Sequence, residues 1–258
     1  LKRVLLSELS WVDVKERVAE TDMVLVPVGS VEQHGPHLPL IQDTAAVLHV
    51  CLRVAERLYP RVLVTPPLAL GVSPHHLAFP GTLSLSPETL VAVVLDVCSS
   101  LHRHGFRRIM LVNGHGGNIA TLGVAGRKVR DRLGDVDILV TNWWDHIDEA
   151  LAKQVLESGY FPGHSGEFET SVALAIHPEL VHQDRFAKPV GEEAPRWFIL
   201  SRVTDFDEFT ETGVEQKGGD TTLATREKGE RLLEAAVIGL ARFVEEVARG
   251  LKGRKGKL

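Results

Sequence analysis

Four short apolar runs, Met23 to Val28 (MVLVPV), Val62 to Thr65 (VLVT), Arg108 to Asn113 (RIMLVN) and Ile138 to Asn142 (ILVTN), alternate with stretches of helical spacing. A run that is apolar at nearly every residue needs cover on both faces, and crossover helices between parallel strands supply it. The alternation therefore predicts an α/β fold, a single three-layer domain with a central, mostly parallel sheet flanked by helices over residues 1–250. Helices are expected over Thr44 to Tyr59, from Ser86 to Gly105, from about Asn118 to Leu133, from Glu167 to Ile176 and from Thr222 to Arg249. Ser86 is placed as an N-cap, with Pro87 at the first helical position, and Gly105 is the natural stop. The stretch Leu180 to Gly219 is left open as a lid, an oligomer contact or plain surface, and the basic tail 251–258 is expected to be disordered.

Charge and cysteine usage exclude several classes. With 29 Lys and Arg against 34 Asp and Glu the net charge is −5, which argues against a dedicated nucleic-acid binder. Cys51 and Cys98 stand in no CxxC spacing, so neither a disulfide framework nor a thiolate metal site is expected. No apolar run approaches the roughly 18 residues of a membrane span. The opening LKRVLLSELSWVDVKER turns charged before any signal-peptide core develops, so a cytoplasmic setting is expected.

Residues able to bind metals collect after the strands, where open α/β sheets place their ligands. In Gly29 to Asp43 (GSVEQHGPHLPLIQD), Glu32 and His34 are two apart and share one side of extended backbone. Asp43 ends that loop, either as a ligand or as a helix cap. In Asn113 to Asn118 (NGHGGN), His115 stands at a strand tip; metal, phosphate and plain turn remain open there, although no GxGxxG or GxxxxGK[ST] pattern is present. In Gly163 to Ser171 (GHSGEFETS), His164, Glu167 and Glu169 fall at the mouth of a helix, where acidic residues also suit the dipole. Ser165 lies in no GxSxG elbow, which disfavours a serine hydrolase.

Together these residues form a His, Glu and Asp set without Cys, suited to zinc, manganese or iron in a hydrolytic site, and HExxH is absent. Three carboxylates, Glu32, Asp43 and Glu167, would balance two divalent ions and one bridging hydroxide. In this order and combination, GSVEQHGPHLPLIQD, HHLAFPGTLSL (His75 to Leu85), NGHGGN and GHSGEFETS resemble the creatininase, or creatinine amidohydrolase, family. The resemblance implies a single α/β domain of that type, two divalent ions per chain, and a homo-oligomer, commonly a hexamer. Carried over by position, it implies that Glu32 and His115 bind one metal, that His34 binds the other, that Asp43 bridges them, and that His164 lies near the substrate. Creatinine-opening members carry Glu two residues after the loop His, where this chain has Gly117, and an acidic residue before the later His, where it has Gly163. The expected substitute ligand is Glu167, with Glu169 a structural hydrogen-bond acceptor, and creatinine itself is not the expected substrate.

His37, His75 and His76 lie in loops that could face the expected site, as substrate contacts or structural hydrogen bonders; of these His37 and His76 are expected to bind substrate, with Trp143 as an apolar wall. The expected activity is metal-dependent hydrolysis of a C–N bond in a small cyclic or formyl-type amide. A metal-bridging hydroxide would attack, and His164 would protonate the departing nitrogen. Alternatives are a deformylase or a peptidase of cofactor maturation within the same family, or a non-catalytic module binding a phosphorylated ligand. No nucleic-acid or membrane partner is expected.

Overall fold

The computed structural model describes residues 2–188 and 220–252. Most of the stretch left open at 180–219 and nearly all of the basic tail lie outside the described residues. Four parallel strands, β1 (Met23–Val28), β2 (Val62–Val64), β3 (Arg108–Asn113) and β4 (Asp137–Asn142), form a sheet in the order β2-β1-β3-β4. Around it lie α1 (Trp11–Arg17), α2 (Gln42–Arg57), α3 (Pro87–Arg103), α4 (Ile119–Leu133), α5 (Glu149–Val155), α6 (Glu167–Ile176) and α7 (Arg226–Lys252).

The two-residue period of β1 divides the core. Met23 and Leu25 pack with α2, α5, α6 and α7 on one face, while Val24, Val26 and Val28 pack with α3 and α4 on the other. All six residues of β1 are buried, as the continuous apolar run requires. Each fully buried aliphatic side chain contributes roughly 1.5–3 kcal/mol, so these two layers carry most of the stabilisation.

Strand order also locates the site. From β1 the chain moves outward to β2 and then returns to place β3 on the other side of β1. The loops leaving the carboxyl ends of β1 and β3 therefore diverge and leave a crevice between them, the usual ligand position in an open parallel sheet.

Several boundaries follow the sequence. Ser86 accepts a hydrogen bond from the Thr89 N–H as the N-cap of α3, and Gly105 takes φ +104° just past its end. One helix has no counterpart in the apolar pattern: α1 has no buried residue and is started by a capping box. The Ser10 hydroxyl accepts from the Asp13 N–H while Asp13 accepts from the Ser10 N–H. The last helix begins at Arg226 rather than Thr222, because Thr221–Leu223 forms a separate 3-10 turn. None of the helices among the described residues is long and apolar enough to cross a membrane.

Within α7, Gly229 lets the helix approach α6 so closely that a Cβ there would meet the Ser171 carbonyl. Gly→Ala inside a helix ordinarily gains about 1 kcal/mol. Gly229→Ala is expected to reverse that sign and destabilise by about 1–3 kcal/mol through overpacking, read as a lower urea midpoint.

Candidate functional site

The loop after β1 is pinned by backbone bonds from Glu32 N–H to the Leu40 carbonyl and from Leu83 N–H to the Val31 carbonyl. This holds Glu32 and His34 inward, both buried. Asp43 enters from the first turn of α2 and makes no N-cap bond. His115 enters from the tip of β3, where its N–H donates to Asn113 Oδ1 and Asn113 Nδ2 donates to its carbonyl. Asn118 ties the neighbouring loops together by donating to the Gly29 carbonyl and accepting from the Val72 N–H.

Asp43 stands at the centre. Its Oδ1 is 3.1 Å from His34 Nε2 and its Oδ2 is 3.1 Å from His115 Nδ1. Glu32 Oε2 lies 3.2 Å from His115 Nε2, and Oε1 lies 3.3 Å from His76 Nε2 and 3.9 Å from His164 Nδ1. Glu169 reaches the same centre, with Oε2 3.7 Å from His34 Nε2. Gln33 lies beside these groups, its Nε2 2.8 Å from His76 Nδ1 and 2.9 Å from His164 Nε2.

The donor set fits divalent cations on three independent observations. Both oxygens of Glu32 and Oδ2 of Asp43 are buried without a hydrogen bond among the described residues, a costly state for a carboxylate that no cation accompanies. Among Glu32, His34, Asp43, His75, His76, His115, His164 and Glu169, four overlapping triads bring ligand atoms within 4.8 Å of one another. Finally, the outward nitrogen of His34 faces an acceptor, Nδ1 lying 3.2 Å from the Glu32 carbonyl, whereas His115 sets both nitrogens against carboxylates, Nδ1 toward Asp43 and Nε2 toward Glu32. A hydrogen on His34 Nδ1 leaves the lone pair on Nε2, which faces Asp43, the arrangement of a metal-binding imidazole.

The electrostatics show the same demand for positive charge. Burial opposes protonation of His34, but the Asp43 and Glu169 carboxylates push it up to about 10. Burial opposes it at His115 as well, where Glu32 and Asp43 raise it well above the ordinary histidine range. Glu32 is held well below its ordinary range because the neighbouring imidazoles outweigh burial. Burial lifts the Glu169 carboxyl to about 7, against the His34 charge. Burial, followed by the charge on His34, lowers His164 well below the usual value.

The structure gathers Glu32, His34, Asp43, His115, His164 and His76; it corrects two expectations and decides a third. Glu167 points away from the centre. Its carboxylate accepts from the Glu157 and Ser158 N–H groups and pairs with Lys228 Nζ at 2.6 Å. Trp143 is a core residue, 3% exposed and stacked on Phe168 at 5.5 Å between centroids, not a pocket wall. His37 is buried and bonded through Nε2 to Thr170 Oγ1 at 2.8 Å, which fits the structural option left open for it.

Glu169 is the hydrogen-bond acceptor the sequence suggests, taking the Ser165 N–H on Oε2, but its reach into the cluster is not legible there, nor is the place of Gln33, and His75 is left undecided. Glu167 and Glu169 are two apart on a helix, so they diverge, and only the packing of α6 decides which faces inward. His75 lies parallel to the His115 ring at 5.8 Å. Gly117 contributes no ligand, and a Cβ there would strike the Val72 carbonyl and crowd His115 and His75.

A family model described as creatinine amidohydrolase matches residues 7–244. The creatinine amidohydrolase of Pseudomonas putida is 36% identical over 260 residues, covering 95% of this chain and 97% of that protein. The mycofactocin precursor peptide peptidase of Mycobacterium ulcerans is 34% identical over 244 residues, covering 91% and 88%. Solved creatininase structures, a manganese form and a zinc–zinc form of a mutant, superpose with a TM-score of 0.80 at 35% identity, covering 95% of this chain and 98% of theirs. The chain belongs to the creatininase family. It is a hydrolase of that family, built on the same parallel sheet flanked by helices.

Glu167 and Glu169 separate by experiment. Lys228 and the N–H donors outweigh burial and hold Glu167 below its ordinary range, so its stabilisation is present above that range and fades as pH falls through the depressed value. Lys228→Met should cost about 1.5–3 kcal/mol at neutral pH, because the carboxylate loses its charged partner and keeps the two N–H donors. Glu167→Gln should lower the melting temperature while keeping zinc content, whereas Glu169→Gln should lower zinc content.

Proposed function

We propose that this chain is a dinuclear metal-dependent amidohydrolase acting on a small cyclic or formyl-type amide. The observation that carries the reading is the Asp43 carboxylate, which turns one oxygen to His34 and the other to His115. Asp43 would bridge two divalent ions, with Glu32 and His115 on one side and His34 and Glu169 on the other; zinc, manganese and iron all suit these oxygen and imidazole donors. Such an ion pair, when bound, polarises a carbonyl and lowers the pKa of a water toward about 7.

Around that centre the chain's own groups orient the substrate and handle protons. The net reaction adds water across the C–N bond: hydroxyl goes to the carbonyl carbon, a proton goes to nitrogen, and the bonding pair leaves on nitrogen. His164 borders the cluster through Nδ1 and is placed to deliver that proton, recovering one from the water consumed. His76, beside Glu32 Oε1, is placed to hold a substrate oxygen.

The buried carboxylates of Glu32 and Asp43 would repel a phosphate at the NGHGGN turn, which disfavours the phosphate-binding alternative. The likeness to peptide peptidases keeps a short modified peptide within the substrate class. A homo-oligomer in a cytoplasmic setting belongs to the same reading, with light scattering to measure its order.

Elemental analysis with an amide and lactam panel, run with zinc or manganese restored, tests the proposal. Asp43→Ala should lose most of both metals. His164→Ala should keep its metals and lose turnover by roughly 100-fold or more. Full activity in His164→Ala would remove that residue from the chemistry, and undiminished metal in Asp43→Ala would end the dinuclear reading.

A further inference from the structure

Five histidines crowd one centre, and four of them differ in what their nitrogens face. His34 turns its outer nitrogen to the Glu32 carbonyl at 3.2 Å, and His115 sets both nitrogens against carboxylates, Nδ1 toward Asp43 and Nε2 toward Glu32. His76 and His164 turn their outer nitrogens to one side-chain amide, that of Gln33, at 2.8 Å and 2.9 Å. Gln33 is buried, and the Gly35 N–H donates to its Oε1 at 2.9 Å.

That backbone bond settles which end of the amide is which. Exchanging Oε1 and Nε2 would set the Gly35 N–H against an NH2 group, donor on donor. The NH2 group therefore faces the two imidazoles, and it has two hydrogens and no acceptor capacity. Each imidazole must meet it with a lone pair, so the hydrogen of each ring lies on its other nitrogen. For His76 that nitrogen is Nε2, and for His164 it is Nδ1, the two atoms turned toward Glu32 Oε1.

We propose that Gln33 is a positioning residue that divides the clustered histidines by tautomer. His34 presents a lone pair to Asp43, and His76 and His164 present N–H groups toward Glu32. The division deepens the amidohydrolase reading and rests on it for its purpose. An inward N–H cannot ligate a cation, so Gln33 keeps His76 and His164 out of the metal set, although their nitrogens lie close enough to join it. It also gives the substrate side of the centre two hydrogen-bond donors, which suit a carbonyl oxygen and a departing amide nitrogen.

The test is nuclear magnetic resonance of the full-length protein with nitrogen-labelled histidine, metal-free and zinc-loaded. Long-range proton–nitrogen correlations distinguish Nδ1–H from Nε2–H rings, and His76→Gln and His164→Gln assign the two signals. The expected wild-type result is Nε2–H for His76 and Nδ1–H for His164. Gln33→Glu, which replaces the NH2 by an acceptor, should reverse both patterns. It should also lower kcat about 100-fold with a smaller change in KM, and Gln33→Leu should let both rings populate both tautomers. The opposite tautomer at either ring in wild type, or patterns unmoved by Gln33→Glu, would overturn the proposal. These spectra need no substrate, so loss of the amidohydrolase reading through inactive panels or full His164→Ala activity is distinguishable from loss of the tautomer assignment.

Discussion

The site depends on burying a carboxylate between two imidazoles. Asp43 is 4% exposed, and its two oxygens each lie 3.1 Å from a different histidine, one on the loop after β1 and the other on the loop after β3. A buried negative charge with so little hydrogen bonding is tolerable only where positive charge is supplied, as protons on His34 and His115 or as cations in their place. The electrostatic demand and the donor geometry thus have a single origin.

The fold meets that demand by topology. Because β2 and β3 lie on opposite sides of β1, the loops leaving β1 and β3 open a crevice between them, and α2 delivers Asp43 into it. Asn113 and Asn118 then fix the loop carrying His115 through main-chain bonds and so limit the freedom of the imidazole. Close backbone approach at Gly117 denies the turn a side chain and leaves the cluster to histidines and carboxylates from other loops.

Much of this was legible in the sequence. β1, β3 and α6 stand where the apolar pattern and helix signals placed them, since burial on both faces leaves an unambiguous mark. Spacing also indicated that Glu32 and His34 share a side. Helix α1 escaped notice because it buries nothing and is held by a cap rather than a stripe. Glu167 is no ligand, and Glu169 is more than the hydrogen-bond acceptor the sequence suggests, because both open the same helix and the partner that turns Glu167 away, Lys228, lies more than fifty residues later. Trp143 sits at the end of β4, but the ring of Phe168 claims its face.

The sequence by itself determined the parallel α/β architecture, the four motif segments and the kinds of donor they carry. Local periodicity and residue chemistry are properties of the chain, and they survive without any contact being known. The tertiary structure alone decided which carboxylate of α6 turns inward, that Asp43 faces two histidines at once, and that one glutamine amide touches two others. Those facts concern distances between segments up to about 130 residues apart in the chain, such as Gln33 and His164. No local pattern encodes them, because they depend on the rotation of each helix and the path of each loop after packing is complete.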